Sequence, residues 1–529
     1  MNKNASELER GPNSRRRAMQ GLGAAGLATA FPQAFAAPPV AGTCDDPNYA
    51  PPDYPVACQP PKASGPAVKF KPPGGPVAAR KSAFELNAAE VTRLQQAYAA
   101  LRALSQKDPA DPRGWLQQAH VHCWYCGGGT DGKEGTEIHN GWWFLPWHRC
   151  YLYFHERILG NLIGDPSFRL PFWDWSTQNA TPSHQTMPPP YTNTANPNPL
   201  INKLRGQTPT AVIPPNVVGP TVMARVLGQP TFDLFGGAPQ KPNYYGGALE
   251  AGPHGAVHNW TGTDGESMPN CGTDMGVLAT AAQDPIFFAH HSNIDRLWSV
   301  WIAQGGGRAN PKVAKWLAQR WTFFDENKRF VSISVADVLA TEKLGYNYQP
   351  VAGIAESMAQ SPTPPKTAKA QATKPAVLTV FSNPKGQALG AAPASHTLNL
   401  PAPHQLFLGK AESTAAAPPY TLRIADIEVP MHRSAQVLVF VNKPDATADT
   451  PLDSANFAGT IGAVAHTRGA GAHAHHGKRF GFAAELSDAA MAQIRKDGKV
   501  TITLVPIDGN GKAATSLDLK YGKVTLEPR

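Results

Sequence analysis

The chain is poor in charge and in cysteine, and it lacks a long apolar run. Asp, Glu, Lys and Arg make up only 16% of its 529 residues, and the formal net charge is +9. No Lys/Arg run is interleaved with aromatic residues, which argues against nucleic acid as a partner. Six cysteines are too few for a disulfide-dense scaffold. No stretch is long enough to span a bilayer, so we expect a soluble mature protein with no membrane insertion.

What the chain has in abundance is apolar residues, proline and glycine. Hydrophobic residues make up 42% of the chain, which is enough for a sizeable core. The 52 prolines and 48 glycines favour loop-rich or β-rich structure over a long helical bundle. A chain of this length predicts two or three domains.

Residues 1–37 have the pattern of a targeting segment. Arg15, Arg16 and Arg17 precede an apolar run from Met19 to Phe31, and Ala34-Phe35-Ala36 then offers a small-x-small cleavage site. Adjacent arginines are typical of a bacterial-type twin-arginine signal peptide, which is read by the Tat export machinery. The sequence therefore predicts an exported protein, either periplasmic or secreted.

Residues 38–350 carry the helical signals. Asn87 with Glu90 is a capping pattern and predicts a helix that ends near Ser105. A second helix is predicted over 147–159, after Pro146. A third begins at Pro285, and residues 176–246 are interpreted as long loops.

The pattern changes beyond residue 350. Residues 351–376 include a low-complexity stretch and are interpreted as a flexible linker. Period-two alternation follows around Val500–Leu504, at 420–429, at 436–441 and at 523–526, with a turn at 508–511 and one short helix at 487–496. Residues 377–529 therefore predict a small β-sandwich.

Two blocks concentrate the metal-binding residue types. Residues 118–160 hold five histidines, and residues 249–298 add His254, His258 and His291. His254 and His258 are spaced i and i+4, so a helix would place both imidazoles on one face. Two sites of three imidazoles without a carboxylate suit copper first and zinc second. A zinc hydrolase is disfavoured because paired hydrolytic metals usually have carboxylate ligands.

Other histidines have plainer interpretations. We expect the side chains of His120, His155 and His290 to be supporting groups with ordinary hydrogen bonds, because buried imidazole needs partners on both nitrogens. The cluster at 473–476 is interpreted as an exposed loop, and transient copper capture is the alternative.

The motifs HCWYC, HNGWWFLPWHRCYLYFHERILG, PFWDW, PHGAVHNW and DPIFFAHHSNIDRLW together resemble a known family. They are similar to the type 3, or coupled dinuclear, copper proteins of the tyrosinase and plant-type catechol oxidase family. The resemblance covers roughly residues 44–348 and weakly the remainder. It implies a mainly α catalytic domain, with a four-helix bundle around a dicopper centre and long loops. It also implies a C-terminal all-β sandwich domain that shields the site.

The resemblance assigns roles to single residues. The two copper ions would be bound by two histidine triads: His122, His139 and His148 for the first, and His254, His258 and His291 for the second. Cys126 would form a thioether with His139. The family's N-terminal region has a doubled cysteine where this chain has only Cys58, so the usual two-disulfide pattern cannot be complete. Pairing of Cys58 with Cys123 or with Cys44 stays open, and Cys150 and Cys271 have no assigned partner.

The implied reaction is oxidation of small phenolic substrates with O2 as co-substrate, catechols giving o-quinones. Glu250 matches an acid that holds a water near the metals. Gly255 stands where monophenol-hydroxylating members often carry Asn, which favours catechol oxidase. Asn259 could supply a similar dipole, and Leu278 replaces a bulkier Phe, which favours tyrosinase activity. Monophenol hydroxylation therefore stays open. The alternative function is an O2-binding protein of the hemocyanin kind.

Overall fold

The computed structural model describes residues 65–126, 137–177, 183–194, 197–238, 244–262, 274–351, 377–400, 420–430, 433–452, 455–466 and 478–529. The predicted signal at 1–37, the linker beyond residue 351, the histidine cluster at 473–476, and Cys44, Cys58 and Cys271 lie outside these residues. Within them, no helix combines the length and the apolarity that a membrane crossing needs.

The described helices and strands follow one another in a helical half and a β-rich half. The helices are α1 Ala88–Lys107, α2 Trp115–Cys126, α3 Phe144–Leu162, α4 Pro215–Val218, α5 Pro220–Leu227, α6 Phe232–Phe235, α7 Gly255–Gly262, α8 Leu278–Ala281, α9 Ile286–Ala303, α10 Ala314–Ala318 and α11 Asp488–Asp497. The strands are β1 Val68–Lys69, β2 Ala78–Arg80, β3 Tyr244–Gly246, β4 Arg320–Phe324, β5 Phe330–Ser334, β6 Tyr346–Tyr348, β7 Leu378–Leu389, β8 Ala394–Asn399, β9 Tyr420–Val429, β10 Ala435–Val441, β11 Phe457–Ala463, β12 Lys478–Glu485, β13 Lys499–Ile507 and β14 Leu519–Pro528.

Helix α1 begins where its capping residues predict. The Asn87 side chain accepts from the backbone N–H of Glu90, and the Glu90 carboxylate accepts from the backbone N–H of Asn87. This reciprocal pair satisfies two N–H groups that a helix start otherwise leaves without partners. The helix continues to Lys107, two residues past the predicted end.

The start of α3 was predicted three residues too late. The helix begins at Phe144, so Pro146 lies inside its first turn. Proline is tolerated there because N–H groups of the first turn have no intrahelical acceptor. The same effect makes the loop prediction for 176–246 wrong in part, since Pro215 and Pro220 each begin a short helix.

Four helices, α2, α3, α7 and α9, surround the histidines, as the predicted bundle requires. Helix α3 packs against α9, and α1 packs against α2 and α3. Beyond the bundle, a buried charge cluster secures the end of the helical half. Asp295 on α9 accepts from Arg149 Nε at 2.5 Å and from the Tyr346 hydroxyl at 2.7 Å. Tyr348 donates to the same carboxylate, so both tyrosines fasten β6 to the helix that carries His291.

The C-terminal half is a sandwich of two sheets, as predicted. One sheet has the order β11-β10-β13-β8 and the other β3-β12-β9-β14-β7. Apolar side chains between the sheets form one core. A larger core runs from α1 through the bundle to Phe440 and Phe457 on the first sheet, so the two halves share buried surface. The helical half also contributes a strand, because β3 pairs in parallel with Phe480–Phe482 of β12.

Candidate metal centre

Three histidines of the first block converge in one buried cluster. His122 is on α2, His148 is on α3, and His139 lies in the connection before α3. Their ligand nitrogens lie within 4.8 Å of one another, and each side chain is at most 3% exposed. The structure therefore brings together the first predicted triad.

The second cluster is built by α7, the preceding turn and α9. A π-helical turn spans Glu250–His254 and runs directly into α7, so the rings of His254 and His258 lie 4.7 Å apart. His258 Nε2 and His291 Nε2 approach to 3.3 Å. The cluster also contains His290, a residue that the prediction assigned to a supporting role.

The two clusters face each other. The ring of His148 stacks on that of His291, with centroids 4.1 Å apart and planes only 10° from parallel. The Phe287 ring packs against His122 and His291, and Phe144 packs against His148 and His254. Two aromatic side chains thus support the imidazoles of both clusters.

Backbone carbonyls orient three of the rings. The Nδ1 atoms of His122, His148 and His258 lie 2.7–2.8 Å from the carbonyl oxygens of Leu278, Phe144 and Met275. A carbonyl only accepts, so Nδ1 carries the proton and Nε2 keeps its lone pair. The Nε2 atoms of His122 and His148 are buried without a hydrogen-bond partner among the described residues. Such orphaned lone pairs fit a metal ion.

Five imidazoles of the two triads, those of His122, His148, His254, His258 and His291, are neutral at ordinary pH. Burial is the main cause, and it lowers the pKa of His122 to about 3 and that of His258 to about 4. Burial, with mutual repulsion between neighbouring histidines, also holds the pKa of His148, His254 and His291 well below the usual value. Neutral imidazole donors are the form that binds copper or zinc.

His290 differs from His291 in its hydrogen bonding. The indole N–H of Trp175 donates to His290 Nδ1 at 3.0 Å. A neutral ring that accepts at Nδ1 carries its proton on Nε2, so it offers no lone pair towards the cluster. His155 has a supporting place, because it stacks on Phe288 at 3.5 Å and contacts the Gln118 side chain. His120 belongs to neither cluster, and the expectation of ordinary hydrogen bonds is wrong for it, because neither ring nitrogen has a partner among the described residues.

Three of the four predicted substrate-side residues, Glu250, Gly255 and Leu278, meet in one cleft beside the clusters. The cleft is lined by His139, Glu250, His254, Gly255 and Leu278 from the helical half. The carboxylate of Glu250 accepts the backbone N–H of Asn140 at 2.6 Å. Asn259 does not line the cleft, and its side chain donates to the Ala463 carbonyl at 3.2 Å.

The other wall of the cleft comes from the C-terminal half. Val464 packs with Cys126 and Leu278 in one small buried cluster. The backbone N–H of Leu278 donates to the Ala465 carbonyl at 2.7 Å, and Ala279 donates to the His466 carbonyl at 3.2 Å. We call residues 462–466 the covering segment. Sequence reasoning did not identify it, because residues 462–465 are small and apolar and resemble any strand end, and His466 lies in no motif.

The three cysteines among the described residues differ in their bonding and surroundings. Cys126 is buried, and its thiol lies 3.4 Å from the Cys123 carbonyl oxygen. Cys123 is disulfide-bonded, and its partner lies outside the described residues. Cys150 is a buried thiol, and burial raises its pKa far above the usual value.

A third group of ligand-type side chains was missed. Glu137, His139 and His466 have ligand atoms within 4.8 Å of one another, and His466 belongs to the covering segment. Glu137 lay between the two sequence motifs, and nothing in a linear pattern places residue 466 beside residue 137.

Sequence comparison finds related domains along most of the chain. The common central domain of tyrosinase matches residues 112–225 and 202–304. A polyphenol oxidase middle domain matches residues 312–362, and the C-terminal domain of chloroplastic polyphenol oxidase matches residues 410–517.

Individual proteins are similar over nearly the full length. A chloroplastic polyphenol oxidase of Malus domestica is 34% identical over 93% of this chain and 86% of its own length. The structure of a latent apple tyrosinase matches 87% of this chain and 99% of its own, with a TM-score of 0.70 and 31% identity. A latent aurone synthase, also a polyphenol oxidase, matches 89% of this chain and 93% of its own, with a TM-score of 0.70 and 28% identity.

Proposed function

Because this chain belongs to the tyrosinase and polyphenol oxidase family, we propose that its two histidine triads bind the two copper ions of a phenol-oxidising centre. The protein is a copper oxidoreductase that oxidises o-diphenols to o-quinones with O2 as co-substrate. When bound, the copper ions supply the redox chemistry and lower the pKa of a coordinated phenol. The observation that carries the assignment is the convergence of neutral, buried imidazoles from both sequence blocks.

The proposed ligands are His122, His139 and His148 for the first ion, and His254, His258 and His291 for the second. The carbonyl-bound Nδ1 atoms support this choice, because they leave Nε2 of those rings for metal. The hydrogen bond that His290 accepts from the Trp175 indole supports leaving His290 out of the ligand set. A supporting role for His290 predicts that His290→Gln retains two copper ions per chain, whereas His291→Gln loses one.

The test of the reaction is metal replacement. Protein stripped with a chelator is restored with Cu²⁺ or with Zn²⁺, and O2 uptake with a simple catechol is followed. We expect uptake and quinone absorbance with copper and neither with zinc. Reversible O2 binding without quinone formation, even after removal of the C-terminal domain, would favour the hemocyanin-like alternative.

We propose that Glu250 holds a water beside the metals and takes a phenolic proton from the substrate. Its carboxylate lines the cleft with His254 and is only 4% exposed. A buried carboxylate at hydrogen-bonding reach of a bound phenol suits general-base work. Glu250→Gln should lower kcat with catechols while copper content stays at two per chain.

Monophenol hydroxylation is the finer question, and we propose that the cleaved enzyme is principally a catechol oxidase. Gly255 has room for a side chain, because an added Cβ would lie 3.6 Å from the nearest atoms, which belong to Glu250 and Val464. Gly255→Asn should therefore fit once the covering segment is gone, and it should raise the ratio of tyramine to catechol oxidation. The Leu278→Phe variant should lower both rates, since it narrows the cleft.

We propose a thioether between Cys126 and His139 in the mature protein. The buried thiol of Cys126 on α2, near the first triad, supports this link. Such a bond would fix the His139 ring. Mass spectrometry of digests should detect one cross-linked peptide that contains both residues, and Cys126→Ser should abolish it.

We propose domain limits of 38–350 for the catalytic domain, 351–376 for the linker and 377–529 for a shielding domain. Support comes from the covering segment, whose Val464 and His466 form the outer wall of the cleft. Proteolysis within 352–376, followed by separation of the fragments, should raise catechol oxidation. Equal activity of the separated core and the full chain would contradict shielding.

We also propose that residues 1–37 direct export by the twin-arginine route. The arginines at 15–17 and the apolar run after them support it. The relatives compared above are chloroplastic by name. A reporter fused behind residues 1–37 should reach the periplasm of a bacterial host only when Arg15–Arg17 are intact, and import into isolated chloroplasts instead would contradict the proposal.

A further inference from the structure

The covering segment brings a metal-binding side chain to the edge of the first triad. His466 is only 6% exposed, and its ring lies 6.2 Å from that of His139, nearly perpendicular to it. The carboxylate of Glu137 lies between them. Glu137 Oε1 is 3.3 Å from His139 Nδ1, and Glu137 Oε2 is 3.9 Å from His466 Nε2. One carboxylate therefore offers one oxygen to each imidazole.

The hydrogen bonding of His466 favours a cation at this place. Its Nδ1 lies 3.2 Å from the Val464 carbonyl oxygen, which only accepts, so Nδ1 carries the proton in the neutral ring. The lone pair of Nε2 then faces the negatively charged Glu137 carboxylate. The ligand atoms of Glu137, His139 and His466 lie within 4.8 Å of one another, and a carboxylate with two imidazoles suits Cu²⁺ or Zn²⁺.

The three residues differ in how much of each side chain is exposed to solvent. The Glu137 side chain is 24% exposed, whereas His139 and His466 are nearly covered. The group thus reaches from solvent at Glu137 to His139, a proposed ligand of the first copper. We propose that Glu137, His139 and His466 form a receiving site for Cu²⁺, which passes the ion to the first triad in the full-length chain.

This inference rests on the proposed dicopper centre and adds a second role for the covering segment. A segment that only blocks the cleft would hinder metal entry. A segment that carries a receiving ligand would assist it. The two roles make opposite predictions for removal of the His466 side chain, since that change widens the cleft and also deletes a donor.

The test is the rate at which metal-free, full-length protein takes up Cu²⁺. Uptake is followed by quenching of tryptophan fluorescence, and the final copper content is measured by elemental analysis. We expect His466→Ala to slow uptake about tenfold, the lower end of the usual effect of deleting a supporting ligand, with two copper ions still bound at the end. Glu137→Gln should slow uptake similarly, because it removes the negative charge. The amide oxygen of Gln can still accept the hydrogen bond from the His139 backbone N–H, which Glu137 Oε1 accepts at 2.8 Å.

Val464→Ala is the matched control, because it loosens the same segment without removing a donor. It should load as fast as the unchanged chain or faster. Faster loading of His466→Ala would overturn the receiving site and leave a purely steric cover. Unchanged loading of His466→Ala and Glu137→Gln would overturn it as well. Fewer than two copper ions in the unchanged chain would instead contradict the proposed dicopper centre.

Discussion

The backbone N–H of Asn140 donates to Glu250 Oε1 across 2.6 Å, joining the residue after His139 to the residue four before His254. Asn140 has a φ of +56°, in the left-handed region. An added Cβ on Gly246 would lie 3.6 Å from both Asn140 and Glu250, so the three residues pack together. This contact couples the position of the proposed base to the loop that carries His139, a proposed copper ligand.

Substitutions at Asn140 should therefore act through backbone conformation. Asn140→Gly should keep both stability and catechol oxidation, because glycine adopts positive φ without strain. Asn140→Val should lose about 1–2 kcal/mol of unfolding free energy, and it should lower kcat because Glu250 shifts. Urea unfolding and O2 uptake by the cleaved enzyme check this. Equal behaviour of the two variants would rule out a positioning role.

The convergence of the histidines could be predicted because their chemistry is local in sequence, but the choice of His291 over His290 rested on the family resemblance. His254 and His258 are one turn apart, and a set of neutral donors has few uses other than soft or borderline metals. The strands were predictable for a similar reason: the run at 420–429 alternates on both sides of a one-residue shift at Ala425–Asp426, and it is β9. In each case the short-range pattern and the final environment agree.

The contacts between the two halves could not be predicted in this way. The covering segment meets the cleft through backbone groups such as the Ala465 carbonyl, which any residue type provides. Glu137 and His466 are distant in sequence, and neither lies in a recognisable motif. The pairing of β3 with β12 joins a three-residue strand to a sheet from the other half. Such pairings between distant parts of the chain form only in the packed fold, so residue composition and hydrophobic periodicity do not predict them.

Asp295 should be among the most sensitive positions for stability. Its carboxylate faces two buried guanidinium groups, with Arg149 Nε at 2.5 Å and Arg80 Nη1 at 3.5 Å. Asp295→Asn would leave the buried charge of Arg149 without its carboxylate, whereas Arg80 would keep its ion pair with Glu156 at 2.8 Å. We expect a loss of about 3–5 kcal/mol in unfolding free energy. Tyr346→Phe is the milder control and should cost about 2 kcal/mol, since it removes the one hydrogen bond that this hydroxyl donates to the charged carboxylate. Denaturant titration of both variants compares them, and similar losses would show that the charge itself contributes little.

Asp111 should give the fold a measurable acid dependence. Burial alone would raise the pKa of its carboxyl, but hydrogen bonds from Arg113 and Lys328 outweigh burial and lower it to about 2. A carboxyl with a depressed folded-state pKa stabilises the fold above its unfolded value near 4, and this contribution is lost as pH falls through the folded value. The stability difference between the unchanged chain and Asp111→Asn should therefore be constant near neutral pH and shrink between about pH 4 and pH 2. A difference that stays constant across this window would show that the charge of Asp111 is not responsible.

Gly462 offers a direct way to displace the covering segment without proteolysis. An added Cβ there would lie 2.4 Å from the backbone carbonyl oxygen of Ala251, in the turn that leads to His254. Backbone cannot yield as a flexible side chain can, so Gly462→Ala should push residues 462–466 away from the cleft. We expect the uncleaved variant to oxidise catechol several-fold faster than the uncleaved parent, and the two should become equal once the C-terminal domain is removed. Gly390→Ala is the matched control. Gly390 is exposed on the surface of the sandwich, and an added Cβ there would meet nothing within 4 Å. If Gly462→Ala stays as inactive as the parent while its unfolding midpoint falls, the strain is relieved elsewhere and the segment does not limit access to the site.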